Sequence, residues 1–229
     1  MDSNKKNAII VGVVFITATV AAIIGFLLVL PILNPDYIIS GSANENQIIL
    51  GAFLELIAAG AVAGTSITLF PYLRKQNESL ALGYVGGRIL EAVMIVVGTI
   101  SLLSILTLSQ EFVKAVDPNA SSFLTAGLLL LAVRHWTDIL GPNFLLGPNT
   151  LMLSYLLYRS KLVPRFISVW GLVGATLIFA AALLEMFGLL LQGSAGVGIL
   201  AAPVATFEMA LAVWLIVKGF NSSAEMKPN

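Results

Sequence analysis

Six long apolar runs decide what this chain can fold into. They cover roughly residues 8–30, 48–72, 80–108, 139–158, 166–191 and 199–217. At about 1.5 Å per residue, a helix of about 20 residues crosses a hydrocarbon core of about 30 Å. No water reaches the backbone there, so each run must satisfy its own N–H and C=O groups, as a helix does. The expected fold is all-α: a polytopic membrane helix bundle of six transmembrane helices, forming a single integral membrane domain over 1–229. Composition agrees, since 58% of the 229 residues are hydrophobic and 10% charged, where a soluble domain has about a quarter charged. The first run is too long for a signal-peptide core of about 7 to 15 residues, and Pro31 to Tyr37 offers no small-x-small site. It reads as an uncleaved helix.

Basic residues give the orientation. Lys5 and Lys6 precede the first run, Arg74 and Lys75 follow the second, Arg159, Lys161 and Arg165 separate the fourth from the fifth, and Lys218 follows the sixth. Lys and Arg collect on the cytoplasmic side of short loops, which places both termini in the cytoplasm. Lys114 is then the only basic residue in an external loop, and Arg134 lies near the outer interface. One crossing must join the outer loop 109–122 to the inner loop 159–165. That crossing is 139–158, preceded by an outer interfacial or oblique helix over about 123–138.

Composition also excludes functions. Net charge is zero and no long basic run exists, so nothing drives counterion release from a nucleic acid. Without cysteine there is no disulfide, thiolate nucleophile, iron–sulfur cluster or cysteine zinc site. One histidine cannot build a bis-histidine haem or a three-histidine centre within one chain. No Gly-x-Ser-x-Gly, His-Glu-x-x-His or Walker-type pattern occurs, nor the Glu-x-x-His pairs of two-metal bundles. No cofactor is indicated, and no metal is named.

The stretch AVRHWTDILGPNFLLGPNTLML, from Ala132 to Leu153, is the least expected part of the chain. Pro142 and Pro148 lack an N–H, and their rings press on the carbonyls of Asp138 and Phe144. A kinked or broken fourth span is expected, with Asn143 and Asn149 adding amides. Irregular backbone survives at membrane depth only inside protein or against a wet cavity. An ordinary proline kink and a ligand-binding discontinuous helix both fit, the kink more simply.

Charges inside the spans sharpen the question. Glu55, Arg88, Glu91, Glu185 and Glu208 are intramembrane, with Arg134, His135 and Asp138 at the outer end of the fourth span. Facing lipid, the four glutamates and Arg88 would cost roughly 15 kcal/mol, so they should turn inward. One polar cluster running from the midplane to the outer surface is expected. Spacing pairs Arg88 with Glu91 and Arg134 with Asp138. Glu55, Glu185 and Glu208 are left with no cation beyond His135. That surplus can be protonated and serve as structural glue, or it can hold a proton in transit, a metal ion or an amine. Gly60 with Gly64 and Gly83 with Gly87 have the spacing of close helix contacts. Glu55 lies opposite its glycine pair, whereas Glu91 lies near its own. Glu55 and Glu185 each follow two large apolar residues, a short match consistent with a three-plus-three inverted repeat.

The segments ALGYVGGRILEAV (Ala81 to Val93), SLLSILTLSQEF (Ser101 to Phe112) and YLLYRSKLVPRFISVWGLVG (Tyr155 to Gly174), with the lysine-led first helix, resemble the prokaryotic multi-pass membrane proteins of domain-of-unknown-function family 4386. The resemblance covers nearly the whole chain and implies the plasma membrane of a bacterium or archaeon. It carries no catalytic residues. Three functions stay open. The first is a small solute- or cation-binding or transport protein with an outward-facing acidic cavity. The second is a scaffold or partner subunit whose buried charges are structural. The third is an intramembrane enzyme using paired glutamates. The bilayer is a partner in each, and a protein partner or homo-oligomer stays open.

Overall fold

The computed structural model describes residues 3–115 and 120–221. Its elements are α1 (Ser3–Leu33), α2 (Tyr37–Ala43), α3 (Glu45–Leu73), α4 (Glu78–Lys114), α5 (Ala120–Asp138), a π-helical segment (Ile139–Leu145), α6 (Leu146–Ser160), α7 (Arg165–Met186) and α8 (Ala195–Val217). Among the described residues there is no strand. Six helical stretches are long and apolar enough to cross a membrane, and the fourth is one unbroken run from Ser121 to Ser160. The molecule is an all-helical, multi-pass membrane protein. Its helices pack in a ring: α1 on α3, α3 on α4, α4 on α5 and α6, α6 on α7, α7 on α8, and α8 back on α1.

Short-range chemistry sets the helix ends. Asn34 precedes Pro35, which disfavours a helical residue before it, and α1 ends at Leu33. Asn77 caps α4 by accepting the Leu80 N–H at 3.0 Å. α6 ends on Lys161, a left-handed residue with φ 58°. The side-chain amide of Asn221 donates to the Lys161 carbonyl at 2.8 Å, and the Asn221 N–H donates to that of Leu162 at 2.9 Å. Lys5 Nζ donates to the carbonyls of Ile216 and Val217 at 3.0 and 2.6 Å, at the negative end of the α8 dipole. Asn7 donates to Tyr72 Oη at 3.0 Å, and the Tyr72 ring lies 4.3 Å from that of Phe220. These contacts gather the start of α1, the α3–α4 and α6–α7 turns and the end of α8 on one face. All the basic residues assigned to the cytoplasm lie there, which is the face that the positive-inside rule predicts to be cytoplasmic. Beneath it Phe15, Leu69, Tyr84, Leu157, Phe207 and Leu211 form part of the largest buried apolar cluster.

The opposite, outer face is uneven. α4 has 37 residues and the fourth helical run 40, lengths of roughly 55 and 60 Å against a hydrocarbon core of about 30 Å. The excess projects outward as a hairpin braced by α2. Ser109 Oγ donates to the Ile38 carbonyl at 2.8 Å and accepts the Ser42 N–H at 2.7 Å, while Tyr37 Oη donates to the Leu124 carbonyl at 3.2 Å. Most of the expected polar loop 109–122 is therefore helix, because α4 continues to Lys114. Residues 116–119 of that loop lie outside the described residues. The helix expected at 123–138 is α5, continuous with the span that follows it. On the same outer face, α7 stops at Met186, and Phe187 to Leu191 form part of the turn to α8.

The fourth span is not broken at its Gly-Pro-Asn triplets. It widens. Pro142 lies inside the π segment, where an extra residue per turn relieves the clash between its ring and the preceding turn. Pro148 lies three residues past the π segment, inside the same continuous helical run. Both glycines allow close approach: a Cβ on Gly141 would fall 2.7 Å from Met94 Cβ of α4, and one on Gly147 2.6 Å from Phe179 Cβ of α7.

Close packing differs in part from the glycine spacing. Gly83 and Gly87 both face α6, at Met152 and Asn149. Gly60, however, meets nothing within 4 Å, and only Gly64 of that pair touches α1, at Val14. The tight crossing of α1 and α3 is at Gly25 and Gly51, where a Cβ on Gly51 would lie 3.0 Å from the Gly25 carbonyl and 2.6 Å from Val29 Cγ1.

Candidate functional site

Two arginines organise the intramembrane polar residues into separate nodes. The deeper node centres on Arg88 of α4. Its Nη1 donates to both carboxylate oxygens of Glu91 at 3.0 Å, its Nη2 to Glu208 of α8 at 3.1 Å, and its Nε to Thr65 of α3 at 3.3 Å. Asn149 of α6 donates to Glu91 at 2.8 Å. Three helices therefore meet at one guanidinium and α6 joins through Glu91, where the absence of a side chain at Gly87 is what lets Asn149 reach it.

The outer node centres on Arg134 of α5. It grips Glu55 of α3 through two parallel bonds, Nη1 to Oε2 at 2.8 Å and Nη2 to Oε1 at 2.6 Å. This bidentate geometry is the strong form of the pair. Its Nε lies 3.1 Å from Asp138, and Thr99 of α4 donates to Glu55 at 2.8 Å. Gly98 makes room for this crossing, since a Cβ there would fall 2.8 Å from Thr137 Oγ1 and 3.2 Å from Arg134 Nη1.

The two pairings expected from spacing, Arg88 with Glu91 and Arg134 with Asp138, are both present. The predicted surplus is smaller than expected. Glu55 and Glu208 each have a cation, because each arginine serves a second carboxylate on another helix. The single cluster resolves into two. Thr65, Thr99 and Gln192 escaped the sequence reading: membrane-helix hydroxyls commonly bond to their own backbone, as Thr65 and Thr99 also do, so nothing marks these two.

Glu185 of α7 stands apart from both arginines. Its Oε2 accepts from Asn143 of the π segment at 2.7 Å. Its Oε1 is buried with no hydrogen-bond partner, on a residue that is 5% exposed. The two Gly-Pro-Asn triplets thus do the same work twice, each asparagine donating to one buried glutamate. His135 is exposed. Its Nδ1 pairs with Gln192 and its ring meets Trp136 edge-on, so it lies outside both nodes.

A cavity of about 660 Å³ joins these parts in the outer half of the bundle. Its inner wall carries Glu55, Arg134, Asp138, Asn143 and Glu185, three carboxyl groups against one guanidinium. The remaining wall is mostly apolar, from Ala22, Ile23, Phe26 and Leu27 of α1 and Val197, Ala201 and Ala205 of α8. The Arg88 node is not part of the lining. It lies toward the cytoplasm: Glu208 is about one turn past Ala205 on α8, and Glu91 about one turn before Ile95, another lining residue, on α4. Among the described residues, no group of three or more histidine or acidic side chains is placed to hold a metal ion.

The fold and the site define a class: a six-span helical membrane protein whose buried arginines bridge carboxylates on different helices beneath and beside an acidic cavity. The chain belongs to the family described as a domain of unknown function (DUF4386), whose model matches residues 10–219. No curated protein and no solved structure matches it.

Proposed function

We propose that this protein binds a small cationic solute in the outer cavity, as a solute-binding or transport protein of a prokaryotic plasma membrane. The observation that carries this reading is Glu185: a buried carboxyl with one oxygen satisfied by Asn143 and the other unpartnered, on the wall of a cavity richer in carboxyls than in cations. A buried carboxylate oxygen without a partner costs several kcal/mol at membrane depth, and a ligand N–H donor would recover that cost. A primary or secondary amine supplies both the donor and the charge.

A second reading applies to the Arg88 node. Its guanidinium is engaged by three side chains and joins α3, α4 and α8, with Asn149 of α6 tied in through Glu91. That arrangement supports a structural role for Arg88, Glu91, Glu208 and Asn149, and leaves Glu185 as the residue proposed to meet the ligand. No observation favours paired-glutamate catalysis, since Glu91 and Glu208 share one arginine away from the cavity.

The test is the melting temperature of the detergent-purified protein over a panel of amines, quaternary ammonium ions and inorganic cations. A ligand that binds only the folded form raises it, by about 2.7 kcal/mol of stability at a hundred times its Kd. The expected result is a saturable rise with amines that Glu185→Gln abolishes. A flat response to every cation would remove the reading.

A further inference from the structure

We infer that the cavity takes its ligand from the bilayer: an amphiphile with an amine head and an apolar tail, entering from the outer leaflet through the seam between α1 and α8. This rests on the amine site at Glu185 proposed above and adds the substrate class and the route.

The lining divides sharply by burial. Glu55, Ala58, Arg134 and Glu185, at the back, are buried. On α1, Ala22, Ile23, Phe26 and Leu27 line the cavity and are exposed, and on α8 so are Gly198 and Ala202. The mouth is therefore the gap between these two helices. They are pinned together toward the cytoplasm, where a Cβ on Gly12 would fall 2.7 Å from the Ala212 carbonyl and Phe15 joins the cluster of Phe207 and Leu211. Ile23 lies roughly 20 Å along α1 from Ala8, which places the gap in the outer leaflet.

Apart from Gln192, which pairs with His135, the exposed side chains around the mouth are mostly apolar. The α7–α8 turn that contributes Gln192 and Gly193 to the lining presents Phe187, Leu189 and Leu191 at 77, 70 and 78% exposure, and Ile199 follows at 72%. A turn this greasy, at the outer end of α7, favours contact with lipid over water. Lipid tails thus bathe the entrance while the carboxyls wait at the back. A molecule that satisfies both ends has a cationic N–H head about one cavity length from its tail, and a fully hydrated small cation would have to cross lipid to enter.

Photo-crosslinking tests this in the full-length protein in lipid nanodiscs. The probe is a twelve-carbon primary amine with a diazirine at its tail end, competed by butylamine added from water. Labelling should concentrate on α1 near Ile23 to Leu30 and on α8 near Gly198 to Ala202. It should fall about tenfold or more in Glu185→Gln, the scale of one lost charge-assisted hydrogen bond. It should also fall in Gly198→Trp, whose new side chain enters the mouth from a position with nothing within 4 Å. Unchanged melting in Gly198→Trp without amine would establish that the fold survives. Labelling spread evenly over lipid-facing residues such as Val173 and Leu90, indifferent to both variants, would overturn the inference. If butylamine raises the melting temperature in a Glu185-dependent way but Gly198→Trp leaves probe labelling intact, the solute enters from water: the amine site stands and the lateral route fails. If neither amine acts at Glu185, both fail.

Discussion

Arg134 joins two carboxylates on different helices, and only a planar fork can hold both. Lysine would keep the charge but lose the paired bonds to Glu55. Arg134→Lys should lower stability by about 1.5 to 3 kcal/mol, the scale of a hydrogen bond to a charged group, read as a lower melting temperature. Arg88→Met should cost more, about 3 to 5 kcal/mol by comparison with broken buried ion pairs in soluble proteins, because Glu91 and Glu208 would both lose their cation. At Lys161, the left-handed φ of 58° costs a side-chain-bearing residue about 1 to 2 kcal/mol, so Lys161→Gly should melt higher by up to that amount. Residue pairing was only half legible in the sequence. Helix spacing gave the i,i+3 and i,i+4 partners of the two arginines. It could not give Glu208 and Glu55, which reach the same guanidinium groups from other helices, 120 and 79 residues away.

Among the elements, glycines separate what pattern reveals from what packing decides. Gly51 and Gly60 lie on one helix, yet a Cβ meets Val29 at 2.6 Å on the first and open space on the second. Gly51→Ala should therefore destabilise the α1–α3 crossing. Gly60→Ala should raise stability by about 0.8 to 1 kcal/mol through helix propensity alone, both read by thermal unfolding. The four-residue glycine spacing pointed to 60 and 64, and missed the interhelical pair 25 and 51 because neither member has a glycine partner on its own helix. The Gly-Pro-Asn triplets were visible as disruptions of the fourth span. That the helix widens into a π segment while α4 and α7 pack closely on Gly141 and Gly147 is recorded by no local pattern.

At the scale of the molecule, the bundle has one basic face, an outer projection built by α2, α4 and α5, and a lipid-facing seam between α1 and α8. While the basic residues predict the side on which each end lies, the six spans were readable from hydrophobic length, because the bilayer constrains it so strongly. The cavity was not, since it arises from α1 and α8 parting above their shared cytoplasmic contact. With no native cysteine to interfere, the topology can be checked directly. Lys75→Cys and Lys161→Cys should react with an impermeant maleimide only from the cytoplasmic side, and Lys114→Cys only from outside. The central claim is that Glu185, and not the Arg88 node, holds an amine. Calorimetric titration of a long-chain primary amine into wild type, Glu185→Gln and Glu208→Gln tests it most directly. One saturable site per chain should vanish in Glu185→Gln and persist in folded Glu208→Gln. Binding that survives Glu185→Gln, or that is lost in a folded Glu208→Gln, would contradict it.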